Sequence, residues 1–296
     1  MKNYVVEPGK TWKIGDVTIH FIFEQWIEFD ENLQKWILPA ADMSDSRIDW
    51  CIPDFVTKDR HLIFSVKEWL LQINGKNILI DTGLNAEDGN LMLRGLSEHG
   101  VAPEDVDYVL FTHLHNDHCS GNIRIGLYGN PQPTFPNARY IFVRENYEHH
   151  KAIYENESLR RGDPSYDLLW QYLFQMKFLV DAGMVDFVDA DYVFCDEIKF
   201  VPTPGHDVGM VGFLIESKGE SAFIGSDFLH HPVQMVQLDV NAGIDHDAEV
   251  SVETRKKILD WLADTDTLFF ASHAAGDHAY FVTKAEDDTF KLVKSR

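Results

Sequence analysis

The sequence predicts an α/β protein in which strand runs and helices are layered as a sandwich. Three observations lead there. Apolar strand-like segments and amphipathic helical segments are mixed, without the simple alternation of a Rossmann chain. No GxGxxG follows a first strand and no GxxxxGK[ST] occurs, so a nucleotide-phosphate cradle is not expected. Histidines recur where predicted strands run out.

The elements follow in order. Four of the seven tryptophans (Trp12, Trp26, Trp36 and Trp50) fall within the first 60 residues, an aromatic-rich stretch in which 17–25 reads as a strand and 38–54 as irregular. "LIFSVKEWLLQING" and "KNILIDTG" are apolar runs joined at an Asn-Gly, a strong hairpin signal. Residues 86–100 have helical spacing, with Leu91 and Leu96 on one face and Gly100 as the stop. Residues 106–113 read as a buried strand ending at the first histidine, and 138–145 as another strand. Residues 146–185 are helix-like, interrupted at 160–165. "EIKFVPTPGH", "VGFLIES" and "SAFIGSD" form a strand series, 252–265 a helix, and 266–273 a final strand.

Composition narrows the function. The chain has 296 residues, 45% hydrophobic and 12% aromatic, enough for one large domain or two closely packed halves. A formal charge of −22 argues against nucleic acid or an anionic membrane as partner, because the field repels polyanions. It leaves a small neutral substrate open. Cys51, Cys119 and Cys195 are too few and scattered for a disulfide framework. No secretory h-region or bilayer-length apolar run is evident, so a cytoplasmic protein is expected.

"HLHNDH" places His113, His115, Asp117 and His118 within six residues at a strand end. An extended chain would aim 113, 115 and 117 to one side, and a turn could bring 118 beside them. Imidazole and carboxylate donors suit Zn²⁺, and the lack of a cysteine cluster favours a catalytic over a structural site. One loop cannot surround two metals, so distant ligands are expected. His206 in "TPGH", Asp227 in "IGSD" and His273 in "FFASH" lie at strand ends and are the candidates.

HxHxDHxxG from His113 to Gly121, with TPGH, a later GSD and a terminal SH, resembles the metallo-β-lactamase superfamily over about residues 62–280. The resemblance implies a four-layer αββα sandwich, expected here as a single domain over 1–296 with residues 1–60 packed on it as an aromatic-rich extension. It implies a first metal on His113, His115 and His206, a second on Asp117, His118 and His273, and Asp227 bridging both. Asp81 in "NILIDTG" is similar to a buried supporting carboxylate. The expected cofactors are two divalent ions per chain, zinc first, with manganese, iron or cobalt as alternatives. A hydroxide shared by the metals would be the nucleophile, and Asp117 would ligate and orient.

"GSDFLHHPVQM" looks like the branch containing methyl parathion hydrolase. In N-acyl homoserine lactonases of the superfamily a substrate-contacting tyrosine stands three residues after the bridging aspartate; here that position is His230, the second catalytic candidate beside Asp117. His231 before Pro232 is expected to be structural, His149 and His150 to be solvated, and Cys119 to be packed. Trp26, Phe29, Trp36, Tyr147, Tyr154 and Trp170 could wall an apolar pocket. The expected activity is cleavage of an ester or lactone bond in a small, fairly apolar substrate. Phosphotriester hydrolysis and mono-iron persulfide dioxygenation are the alternatives. The resemblance suggests a homodimer.

Overall fold

The computed structural model describes residues 10–84, 91–125, 130–155, 175–276 and 278–294. The described residues divide into two compact units, one drawn from 10–24 and 66–192, the other from 25–65 and 193–294.

The first unit is organised by a seven-stranded sheet. Its order is β1 (Thr11–Ile14), β2 (Val17–Glu28), β3 (Ile63–Ile73), β4 (Lys76–Ile80), β5 (Tyr108–Leu110), β8 (Arg139–Val143) and β9 (Val185–Val188). The expected hairpin joins β3 to β4 antiparallel, with Ile73 opposite Lys76. Asn74 and Gly75 both have positive φ, 51° and 73°, the conformation a two-residue turn requires and Asn-Gly supplies. From β4 onward the pairings β4–β5, β5–β8 and β8–β9 are parallel. A two-stranded ribbon, β6 (Ile123–Ile125) with β7 (Pro131–Pro133), lies outside the main sheet.

Helix α2 (Leu91–Glu98) buries Leu96 as expected, with Met92 one turn before it in place of the half-buried Leu91. α3 (Asn116–Cys119) is a single turn that follows β5, and α4 (Arg144–Glu155) starts directly at the end of β8, so Arg144 and Glu145 leave the expected strand for the helix. The middle of the expected 146–185 helix lies outside the described residues. Residues 175–181 are helical (α5), and Val185 already belongs to β9. The core of this unit gathers Leu70, Leu79, Val109, Tyr140 and Phe142 from the strands and Phe111 just past β5, with Leu96 and Met176 from the helices.

The second unit has its own seven-stranded sheet, in sequence order: β10 (Val193–Cys195), β11 (Ile198–Pro202), β12 (Val211–Ser217), β13 (Glu220–Ile224), β14 (Leu268–Phe270), β15 (Ala279–Lys284) and β16 (Phe290–Val293). β14 is therefore not the last strand. Only the β13–β14 pairing is parallel, and its crossover carries α6 (Ala248–Ala263). α6 begins earlier than its apolar pattern suggests because Asp247 caps it, accepting from the Glu249 and Val250 amides at 3.1 Å each. Ile258, Leu259 and Leu262 on its inner face join Phe223 and Phe269 of the sheet in one core. Phe29, Ile37, Leu38 and Phe55 from the amino-terminal segment enter the same core; helix α1 (Glu31–Ile37) carries the second of these. Among the described residues, no helix is long and apolar enough to cross a membrane.

Candidate metal centre

In the first unit the motif residues follow β5. The chain is not extended through Asp117 as expected. His115 instead caps α3, and its carbonyl accepts from the His118 amide at 3.0 Å. One helical turn thus brings His118 back beside His113, with ring centroids 4.2 Å apart. His113 Nε2 lies 3.0 Å from His115 Nδ1. Two ligands of one tetrahedral zinc, each bound at about 2.0–2.1 Å, stand roughly 3.3 Å apart. Asp117 Oδ2 is 3.9 Å from His118 Nε2.

Asp81 organises this cluster. It sits just after β4 with φ 60°, a left-handed conformation that Asp tolerates better than most residues. Its Oδ1 accepts from the Thr112 amide, and its Oδ2 accepts from Thr112 Oγ1 and His118 Nδ1, all at 2.8 Å. Because the Thr112 hydroxyl proton goes to Asp81, His113 Nδ1 must donate to Thr112 Oγ1, 3.1 Å away. Asp81 is thereby the supporting carboxylate that the sequence suggests.

The second unit holds His206, Asp227 and His273, each buried. Asp227 Oδ2 is faced by three imidazole Nε2 atoms: His273 at 2.9 Å, His230 at 3.5 Å and His206 at 3.7 Å. His273 Nδ1 is 2.8 Å from the Ser65 carbonyl, which can only accept, so this nitrogen carries the proton. Its ring also stacks on Phe64, centroids 4.1 Å apart. In the neutral ring the Nε2 lone pair then faces a carboxylate oxygen, two acceptors opposed at 2.9 Å. A cation coordinated by both relieves that opposition, so the donor set fits a divalent metal.

His206 repeats the pattern. Its Nδ1 is 2.9 Å from Asp245 Oδ1, and its ring lies 4.4 Å from that of His230. Burial works against the His206 imidazolium, but the Asp245 hydrogen bond and the Asp227 and Asp245 charges outweigh it and raise its pKa. For His230 burial dominates, and with His206 nearby pushes it down to about 3. Among the described residues neither His230 ring nitrogen has a hydrogen-bond partner, although the residue is 1% exposed. His206, His230 and Asp245 also form a group whose donor atoms lie close enough to share a cation.

Several expectations change. His150 is not solvated. It is buried on α4, in line with Asn146 one turn before, and its ring lies 5.7 Å from that of His115. Phe29 stacks in the core on Phe64, and Tyr147 is core packing against Phe142 and Phe187, so neither is a free pocket wall. Trp36 is 56% exposed. Trp26 is half-buried, 6.1 Å from the His278 ring, and Tyr154 packs partly against the first unit's core. Trp170 lies outside the described residues. His231 is structural, as expected: Nε2 donates to the Phe55 carbonyl at 2.9 Å and Nδ1 accepts from the Val233 amide at 3.1 Å. Cys119 is fully buried, its thiol 3.5 Å from the Leu114 carbonyl. Asp245 is the residue sequence reasoning missed. It sits in a polar loop before α6, and only its place just ahead of the Asp247 cap marks it.

Comparison with known proteins completes the picture. A probable metallo-hydrolase of Methanocaldococcus jannaschii is 31% identical over 86 residues, covering 27% of this chain and 37% of that relative's length. AidC, a dizinc quorum-quenching lactonase solved with the product N-hexnoyl-L-homoserine, superposes with a TM-score of 0.81 at 21% identity, covering 98% of both chains. AbOPH, a hydrolase of the β-lactamase superfamily, gives 0.81 at 20% identity over 99% of both. A probable metal-dependent hydrolase from Staphylococcus aureus gives 0.69 at 19% identity, over 96% of this chain and all of the other. At these identities the likeness shows the fold, an α/β sandwich of the metallo-β-lactamase type. The family model for that superfamily matches residues 66–273, well over half the sequence and spanning every motif histidine. The chain belongs to the metallo-β-lactamase superfamily.

Proposed function

We propose that His113, His115, Asp117, His118, His206, Asp227 and His273 hold a pair of divalent cations, zinc by their donor chemistry. We further propose that the protein cleaves the ester or lactone bond of a small, fairly apolar substrate. The observation that carries this reading is the anchoring of three rings. His118, His206 and His273 give Nδ1 to Asp81, Asp245 and the Ser65 carbonyl respectively, reserving Nε2 for a cation. Bound divalent cations acidify water and polarise the oxygen of a scissile bond.

The residues of the chain supply the rest. Asp227 is the carboxylate on which three Nε2 atoms converge, which suits a ligand shared between two ions. Asp117, less buried than His113 and His118, suits a ligand at the solvent side that also orients the attacking water. His230 presents a buried imidazole whose nitrogens make no hydrogen bond to the described residues, and we assign it a hydrogen bond to the substrate's carbonyl or leaving oxygen. The lactone arm gains support from AidC, which is a lactonase with a homoserine product bound.

The test is a hydrolysis panel of lactones, aryl esters, thioesters and phosphotriesters on protein whose metal content has been quantified. Turnover of lactones or aryl esters above the other classes, lost in Asp227→Ala, is expected. Preferred cleavage of phosphotriesters would overturn the bond assignment. One iron per chain with oxygen uptake on a persulfide would overturn hydrolysis.

A further inference from the structure

Asp245 lies outside every motif above, yet its carboxylate is held as firmly as that of Asp81. Its side chain is 1% exposed. Oδ1 accepts from His206 Nδ1 at 2.9 Å, and Oδ2 accepts from the Ala242 amide at 3.0 Å and Ser251 Oγ at 3.1 Å. Ser251, on the first turn of α6, is in turn 3.4 Å from Arg255 Nη2. Arg255 is fully buried and also donates to the Phe228 and Leu238 carbonyls and to Asn241 Oδ1, at 3.1, 2.6 and 3.3 Å. The backbone closes the same arrangement: the His246 amide donates to the His206 carbonyl at 3.0 Å, and the Asp247 amide to the Gly205 carbonyl at 2.8 Å.

We infer that Asp245 is a positioning residue, which fixes the tautomer and plane of His206 so that Nε2 is the nitrogen offered to a metal. Arg255 and Ser251 on α6 hold that carboxylate in place. The chemistry is general. An imidazole whose Nδ1–H is given to a carboxylate has its proton fixed and its Nε2 made more basic, and loss of such a partner costs 10–100-fold in metal affinity. The inference rests on the proposed role of His206 as a ligand. It goes beyond that role by assigning Asp245, whose Oδ1 is taken up by His206 Nδ1, to the support of that ring, so that its loss is felt through His206.

The experiment measures Zn²⁺ affinity by competition with a chromogenic chelator for wild type, Asp245→Asn, His206→Ala and the double variant. Unfolding midpoints of the metal-free proteins are measured in parallel. Asp245→Asn is expected to bind the weaker-held zinc about 10–100-fold less tightly and to add nothing in the His206→Ala background. An affinity within about 3-fold of wild type, or full additivity in the double variant, would overturn the inference. If His206→Ala itself leaves zinc affinity unchanged, it is the ligand assignment that fails. A second readout needs no variant: nitrogen NMR of zinc-loaded wild type should show His206 protonated at Nδ1 and shifted by metal at Nε2. The reverse tautomer would overturn the role of Asp245 even if the Asn variant did not fold.

Discussion

A β-carbon placed on Gly205 would lie 2.4 Å from both the amide nitrogen and the α-carbon of Ser251. The turn that carries His206 is therefore pressed against the first turn of α6, backbone on backbone. Its φ of +127° is also a region that side-chain-bearing residues rarely adopt. Gly205→Ala meets both obstacles, and neither yields cheaply because no flexible side chain stands in the way. The expected loss is about 2–4 kcal/mol of unfolding free energy in denaturant titration, with weaker zinc binding because His206 is the next residue. A loss below about 0.5 kcal/mol would mean that the TPGH turn does not depend on this approach.

Asp81 offers a second test. Three donors converge on its carboxylate, and Asn at that position tolerates the same left-handed φ, so the backbone is not perturbed. The Asn amide can keep the Thr112 amide contact through its oxygen. Its NH₂ then faces the Thr112 hydroxyl proton and His118 Nδ1–H. Opposed donors in a buried site should cost roughly 2–4 kcal/mol and turn the His118 ring out of register. Unfolding of Asp81→Asn against Asp81→Glu, with metal content measured on each, separates lost charge from lost geometry. Wild-type stability and full metal content in the Asn variant would remove Asp81 from its supporting role.

What could be read from residues alone follows from how local each signal is. The Asn-Gly hairpin and the strand ahead of His113 announce themselves within a few residues, through turn chemistry and apolar runs. His118 was legible as a ligand candidate, but its route to the cluster was not: alternation along a strand gives way to one helical turn capped by His115. Asp245, Ser65 and Thr112 were invisible because their partners are remote or their residue types are common. Ser65 meets the His273 ring through its backbone carbonyl, which no side-chain pattern reports. His150 misled because the charged neighbours Glu148 and Lys151 suggest a solvated helix, whereas position 150 falls on the buried face with Asn146. Phe29 and Tyr147 failed as pocket markers for the opposite reason. Large rings fill cores far more often than they wall sites, and Phe29 and Tyr147 do so here.

His231 makes stability depend on pH in a direction that can be stated. Its tautomer is fixed from both sides, Nε2–H toward the Phe55 carbonyl and the Nδ1 lone pair toward the Val233 amide. Adding a proton at Nδ1 sets it against that amide. Burial, only partly offset by the hydrogen bonds to the Phe55 and Ile63 backbone, pushes the imidazole down to about 4 from an ordinary value near 6.5. The folded-state pKa is thus lowered. The unfolded chain binds the extra proton first, so the contribution is present above about pH 6.5 and drains away as pH falls toward 4. The full amount is roughly 3 kcal/mol. In His231→Asn the side-chain oxygen can still accept from the Val233 amide, and nothing titrates at this position. With a chelator present throughout, wild type should lose stability more steeply than the variant between pH 6.5 and 4. Parallel pH profiles would show that His231 does not contribute to the acid sensitivity.

Arg255 separates charge from shape. Burial lowers its guanidinium only to about 10, so it remains cationic at neutral pH, and its nitrogens reach two carbonyls, an amide oxygen and a hydroxyl. Lysine at this position keeps the positive charge but offers a single ammonium on a flexible stem, which cannot span the Phe228 and Leu238 carbonyls together. One of those buried acceptors then loses its donor, and the cation is left poorly satisfied. Arg255→Lys is expected to cost roughly 3–5 kcal/mol in equilibrium unfolding, close to the cost of Arg255→Ala. If lysine instead restored most of the wild-type stability while alanine did not, net charge beside Asp245 and Asp239 would be the property that matters. The fork geometry that ties α6 to the loop before it would then be incidental.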